Sequence, residues 1–117
     1  MAATSITVEK MKYEELATMP TAAAVDATDG ALVPWDVADR KLLILLENAA
    51  SAAKTVTIKS GGGVQATGDL VLSLQASAKT AIMLDSGKYK QVKGDNKGKL
   101  VITGEDANVK VAALQLI

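Results

Sequence analysis

From Arg40 onward the chain alternates between short apolar segments and turns rich in Gly, Asn, Asp and Lys. Lys54–Lys59 puts Val56 and Ile58 on one face and Thr55, Thr57 and Lys59 on the other, the period of two expected of a half-buried strand. Asp69–Leu74 repeats the pattern with Leu70, Leu72 and Leu74. Thr80–Leu84 does so with Ile82 and Leu84, and Lys99–Thr103 with Leu100 and Ile102. Val109–Ile117 closes the series as a strand predicted to be paired to its end, because free termini fray. Lys41–Glu47 differs, since Leu42–Leu46 is apolar on both faces. Its length and flanking turns predict a strand covered on both sides: by the core on one, and by the N-terminal arm or a partner on the other. Asn48–Ala53, Ser60–Gly63 and Glu105–Asn108 read as turns or loops, and Ser86–Gly98 as a hairpin around Gly94-Asp95-Asn96. Strand signals at a spacing of roughly 10 residues predict an all-β domain, an antiparallel β-sandwich or barrel of about six to eight strands.

The first 39 residues follow a weaker pattern. Ser5–Val8 alternates like a short strand, and one or two helical turns are predicted near Tyr13–Ala17, stopped by Pro20. Asp29-Gly30 marks a turn, and Pro34 argues against a central strand at Ala31–Val33. Residues 1–39 therefore read as an acidic, partly extended N-terminal arm and residues 40–117 as the β-body.

Composition narrows the function. A chain of 117 residues is one domain of ordinary size. Tyr13, Trp35 and Tyr89 are its only aromatics, so the core is aliphatic and stacking platforms for sugars or bases are scarce. Formal net charge is zero, which steers the protein neither to nucleic acid nor to an anionic membrane. The distribution is uneven: residues 1–39 carry seven acids against two lysines, and residues 40–117 carry eleven bases against six acids. An acidic arm and a basic body attract each other within a chain or between neighbours. Lys88, Lys90, Lys93, Lys97 and Lys99 form the strongest surface signal. They meet an acidic partner, or they are solvated lysines that protect a sheet edge from aggregation. No cysteine framework is present, the opening lacks the pattern of a signal peptide, and Leu42–Leu46 is far short of the ~20 residues that span a bilayer. The expectation is synthesis in the cytoplasm, with no membrane partner.

Reactive groups are few. Without His or Cys, nucleophilic triads and zinc sites lack their usual components. The adjacent acids Glu14-Glu15 and Glu105-Asp106 read as solvated charge rather than as glycosidase carboxylates. Asp26–Gly30 has the wrong spacing for a calcium loop and reads as a turn. Ser60-Gly61-Gly62-Gly63 lacks the Lys-Ser/Thr of a phosphate loop. The prediction is a non-enzymatic protein with no cofactor and no metal.

Several passages together resemble a known group. These are Lys41–Asn48, Lys54–Gly61, Asp69–Leu74, Ser86–Lys90, Lys97–Thr103 and Val109–Leu116. Their order is similar to that of the small β-sandwich head decoration (capsid cement) proteins encoded beside the major capsid protein in tailed bacteriophages and prophages. The resemblance covers about residues 38–117 and is one of strand pattern, without a reactive motif. It implies a virion structural role on the capsid exterior, with the major capsid protein as partner and a homo-oligomeric state. The interface residues expected on that reading are Ile6, Val8 and Trp35 of the arm, together with Lys88, Lys90, Lys93, Lys97 and Lys99. Deleting residues 1–20 should then weaken association and leave the β-core folded. The competing expectation is a carbohydrate-binding or adhesive β-sandwich module of a phage or bacterial surface structure, which normally needs two or three exposed aromatics on one face.

Overall fold

The computed structural model describes residues 3–116 and is a two-sheet β-sandwich. Ten strands follow one another: β1 (Thr4–Ser5), β2 (Val8–Lys10), β3 (Ala23–Ala24), β4 (Ala31–Pro34), β5 (Leu42–Asn48), β6 (Lys54–Ile58), β7 (Leu70–Leu74), β8 (Lys79–Ile82), β9 (Lys99–Gly104) and β10 (Val109–Gln115). A 3-10 turn (Asp39–Lys41) precedes β5, and one short helix, α1 (Ser86–Tyr89), follows β8. One sheet has the order β1-β4-β9-β6-β7. The other has the order β2-β10-β5-β8, with β3 also on β10.

The body follows the alternation in its sequence. Val56, Ile58, Leu74, Leu100 and Ile102 are buried, with Leu70, Leu72 and Ile82 packed against the same core. β5 alternates strictly: Leu42, Ile44, Leu46 and Asn48 face the core, while Leu43, Leu45 and Glu47 lie half-buried on the outer face. Met19 and Pro20 of the arm sit beside Leu45 and Ala81 on that face. The second apolar face of β5 is thus partly covered by the chain's own arm. β10 pairs with β5 along Val109–Gln115, and Leu116 donates to the Lys41 carbonyl at 2.6 Å. Ile117, assigned by its sequence to the same strand, lies outside the described residues.

The arm departs from its reading. β1 pairs in parallel with β4 in one sheet, and β2 pairs in parallel with β10 in the other. The chain crosses between the sheets at Ile6-Thr7, and the Ile6 amide donates to Leu32 at 2.9 Å. Both sheets are therefore mixed rather than purely antiparallel. The turns expected at Tyr13–Ala17 are not helical: residues 13–15 make a turn with Glu14 at φ 57°, and the loop runs on to β3. Met11, Leu16 and Met19 lack a helical spacing, so no apolar stripe rewards a helix there. β4 is internal to its sheet despite Pro34. Trp35 donates to Gly98 at 3.1 Å, so its alternating neighbour Pro34 turns its nitrogen to the opposite side, beyond the end of β1. The parallel ladder of β1 on β4 stops at Ser5–Leu32, one step before it would need an N–H from residue 34.

Two loop features anchor the body. Gly61 donates to the Lys88 carbonyl at 2.8 Å, and a Cβ at this position would strike the Lys90 carbonyl. Glycine here permits close approach of two backbones. At Asp26–Gly30 the Asp26 carboxylate accepts from the amides of Thr28 and Asp29 at 3.0 and 2.7 Å, which closes the turn read from the sequence.

Candidate interaction surface

The residues expected at an interface divide sharply. Ile6 is 6% exposed and Trp35 1%, so both belong to the core. Residues 31, 33 and 35 point inward along β4 and its extension, which takes Trp35 off the surface; its Nε1 is buried without a hydrogen-bond partner. Ile6 is drawn inward where the arm crosses the seam between the sheets. Val8 is half-buried on β2 opposite Ala113. Only the lysines keep the predicted character: Lys93 and Lys97 are exposed, and Lys88, Lys90 and Lys99 are half-buried.

Lys90 to Lys99 lie on the hairpin expected around Gly94-Asp95-Asn96, whose arms are joined by the Gln91 amide donating to the Lys99 carbonyl at 2.9 Å, whereas Lys88 precedes it. Lys88 lies in α1, where Asp85 caps the helix by accepting from Gly87 at 2.8 Å and Asp39 accepts from the Ser86 amide at 3.0 Å. Lys90 forms an isolated bridge with Leu100, and residues 91–98 make a loop closed by Gly98 donating to Gln91 at 2.9 Å. A short helix arises here because Asp85 offers a cap immediately before Ser86.

Strand register brings several charges together at each end of the sandwich. Pro34 pairs with Lys99, and Gln115 pairs with both Leu42 and Lys10. A cleft of about 510 Å³ joins these positions across the two sheets. Ile6, Val8, Pro34, Val37 and Leu42 form its apolar walls, and Lys10, Thr7, Asp36 and Gln115 its polar rim. Arg40 and Lys41 precede Leu42 in the same region, and the lysine loop adjoins it through Lys99. The opposite end, where Gly104 meets Val109 and Asn48 meets Leu74, carries Asp26, Asp29, Glu47, Glu105 and Asp106 together with Lys54, Lys79 and Lys110. Each end of the folded molecule therefore carries both signs, with acids in modest excess at this one.

The two acid pairs named from the sequence differ in their surroundings. Asp106 binds Lys54 at 2.8 Å, Glu105 lies 3.6 Å from the same nitrogen, and Glu105 also accepts from the Thr55 amide at 3.1 Å. The Lys54 hydrogen bond, helped by the Asn108 amide, holds Asp106 below its ordinary value of 3.8, and the same bond raises Lys54. Asp69 is lowered in the same way by Lys59 and by the Ser60 amide. Because the folded value of Asp106 is depressed, its stabilisation is present above the unfolded pKa and is lost as pH falls through the folded value. Lys54 behaves oppositely: its share is present below 10.5 and is lost as pH rises through its raised value. Urea unfolding of Lys54→Met against pH should therefore show a shallower acid loss of stability than the parent. Identical acid slopes would remove the role of this ion pair, which is solvent-exposed and weakens with salt.

Glu14 and Glu15 sit on the exposed arm loop and make no ion pair within 4.0 Å among the described residues. The same loop exposes Tyr13 (82%), Leu16 (fully) and Met19 (73%). These apolar positions were not read from the sequence as an interface, because their spacing defines no regular apolar face. A run of Met, Tyr and Leu without periodicity was the available signal. Comparison with family models, with curated proteins and with solved structures finds no match for this chain.

Proposed function

We propose that this chain is a non-enzymatic virion structural protein that binds the exterior of a tailed-phage capsid lattice and stabilises it. The observation that carries the reading is the arrangement of the passages that resemble head decoration proteins. Lys41–Asn48, Lys54–Gly61, Asp69–Leu74, Ser86–Lys90, Lys97–Thr103 and Val109–Leu116 supply β5, β6, β7, α1, β9 and β10 of a single sandwich. The arm adds an edge strand to each sheet of that sandwich, and the lysines of residues 88–99 adjoin one end. A compact β-body with a lysine-bearing end suits repeated binding at equivalent lattice points, where electrostatic complementarity sets orientation. The carbohydrate-binding reading is less well supported: Trp35 and Tyr89 are buried, which leaves Tyr13 as the exposed aromatic.

Co-sedimentation with purified, expanded capsids tests the proposal. The expected result is saturable pelleting of the protein with the shells and a rise in the temperature at which they disrupt. Pelleting that stays at background across a titration would refute it.

A further inference from the structure

We infer that the cleft at the basic end receives the exposed arm loop, Tyr13–Leu16, of a second copy of this chain. Three observations point to that occupant. The cleft has apolar walls and is bordered by Lys10, Arg40, Lys41 and Lys99, none of which makes an ion pair within 4.0 Å among the described residues. The loop presents the complementary set: Leu16, fully exposed, beside Glu14 and Glu15. The loop and the cleft are neighbours on the same molecule, since Lys10 lines both the cleft and the shallow hollow that contains Glu15 and Leu16.

The fit is one of chemistry and size. A cleft of about 510 Å³ holds a leucine side chain with room for flanking backbone. Leu16 entering it would leave water and meet Ile6, Val37 and Leu42. The two glutamates would then face the cationic border, and attraction between unlike surfaces fixes register as well as rate of encounter. Asp36 on the rim and Asp39 beside Arg40 oppose this field, but they are two acids among four bases. Because loop and cleft flank the same strand β2, a two-fold axis beside β2 allows each copy to insert its loop into the other. That is an isologous contact, which closes at the dimer. The inference concerns the isolated chain and stands apart from the capsid reading, so either can fail alone.

The test is sedimentation equilibrium of the full chain over a concentration series, at low and high salt. A dimer that loosens as salt is added is expected. Leu16→Asp, and separately Glu14→Lys with Glu15→Lys, should weaken it at least about tenfold, the scale on which like charges are rejected at an interface. Leu16 is fully exposed, so its replacement leaves the core intact; an unchanged melting curve checks this. The chain has no cysteine, so single Leu16→Cys and Val37→Cys proteins can be mixed under oxidising conditions. A disulfide between these two, absent when Val37→Cys is replaced by Thr57→Cys on β6, outside the cleft lining, places the loop in the cleft. A monomer at every concentration in low salt overturns the inference. So does a dimer indifferent to Leu16→Asp, or one that gives no Leu16–Val37 cross-link.

Discussion

Replacing Asn48 with Ala is expected to destabilise the sandwich by about 2–4 kcal/mol, the sum of several buried hydrogen bonds at about 1 kcal/mol each and the unpaired groups left behind. Asn48 is the buried polar side chain at the end of β5, 2% exposed. Its Nδ2 donates toward the carbonyls of Ala52, Leu74 and Gln75 at 2.9, 3.2 and 3.1 Å, and its Oδ1 accepts from the Ala50 amide at 2.9 Å. One side chain therefore closes the β5–β6 turn and ties it to the end of β7 in the opposite sheet. Truncation leaves these backbone groups inside the protein without a partner, and the vacated space is too small and too crowded to restore them all. Asn48→Asp should be similarly harmful, because it removes the donor and places a charge against three carbonyls. Thermal melts read the effect directly: a fall of roughly 10–15 °C is expected for a domain of this size. A melting temperature within a degree or two of the parent would mean that the turn is held by its other contacts.

Deleting residues 1–20 is the second large effect, and the fold reverses the expectation drawn from the sequence. The deletion removes β1 and β2, one strand from each sheet, together with the buried Ile6 that spans the seam. It also uncovers the edges of β4 and β10, and bare edges recruit other strands. The truncated chain should melt well below the parent and aggregate at concentrations where the parent is soluble. Ile6→Ala separates packing from edge protection: it keeps both strands and should cost about 2–5 kcal/mol, the usual range for emptying a buried aliphatic site. A truncated protein as stable and soluble as the parent would show that the arm is dispensable to the body. Loss of capsid binding in such a deletion could then be read as loss of a contact, a reading the present fold does not allow.

The body was legible in the sequence because alternation reports its own burial. Val56 and Ile58, Leu70 to Leu74, and Leu100 and Ile102 each declare a face, and the structure buries those faces. The arm was not legible for the same reason. β1 and β3 have two residues each and β2 has three, too short for a period to register. Their conformation comes from partners: β4 for β1, and β10 for β2 and β3. Trp35 was misplaced because an isolated Trp beside Pro34 and Asp36 looks exposed until the parity of β4 is known. The sequence marked the lysines of 88–99 as a group, of which Lys93 and Lys97 are exposed, whereas their proximity to Lys10, Arg40 and Lys41 was invisible. These residues are separated by most of the chain, and β-register alone brings them to one end.

By itself, then, the sequence determined the fold class, the inward residues of the main strands and the supply of charged and apolar groups. These follow from local periodicity and composition, which do not depend on what each strand meets. The tertiary structure alone decided that the arm is part of both sheets, that Ile6 and Trp35 are core, and that a cleft opens beside Lys10, Arg40, Lys41 and Lys99. Each of those depends on pairing between distant segments, and no local pattern specifies the register of a partner that lies elsewhere in the chain.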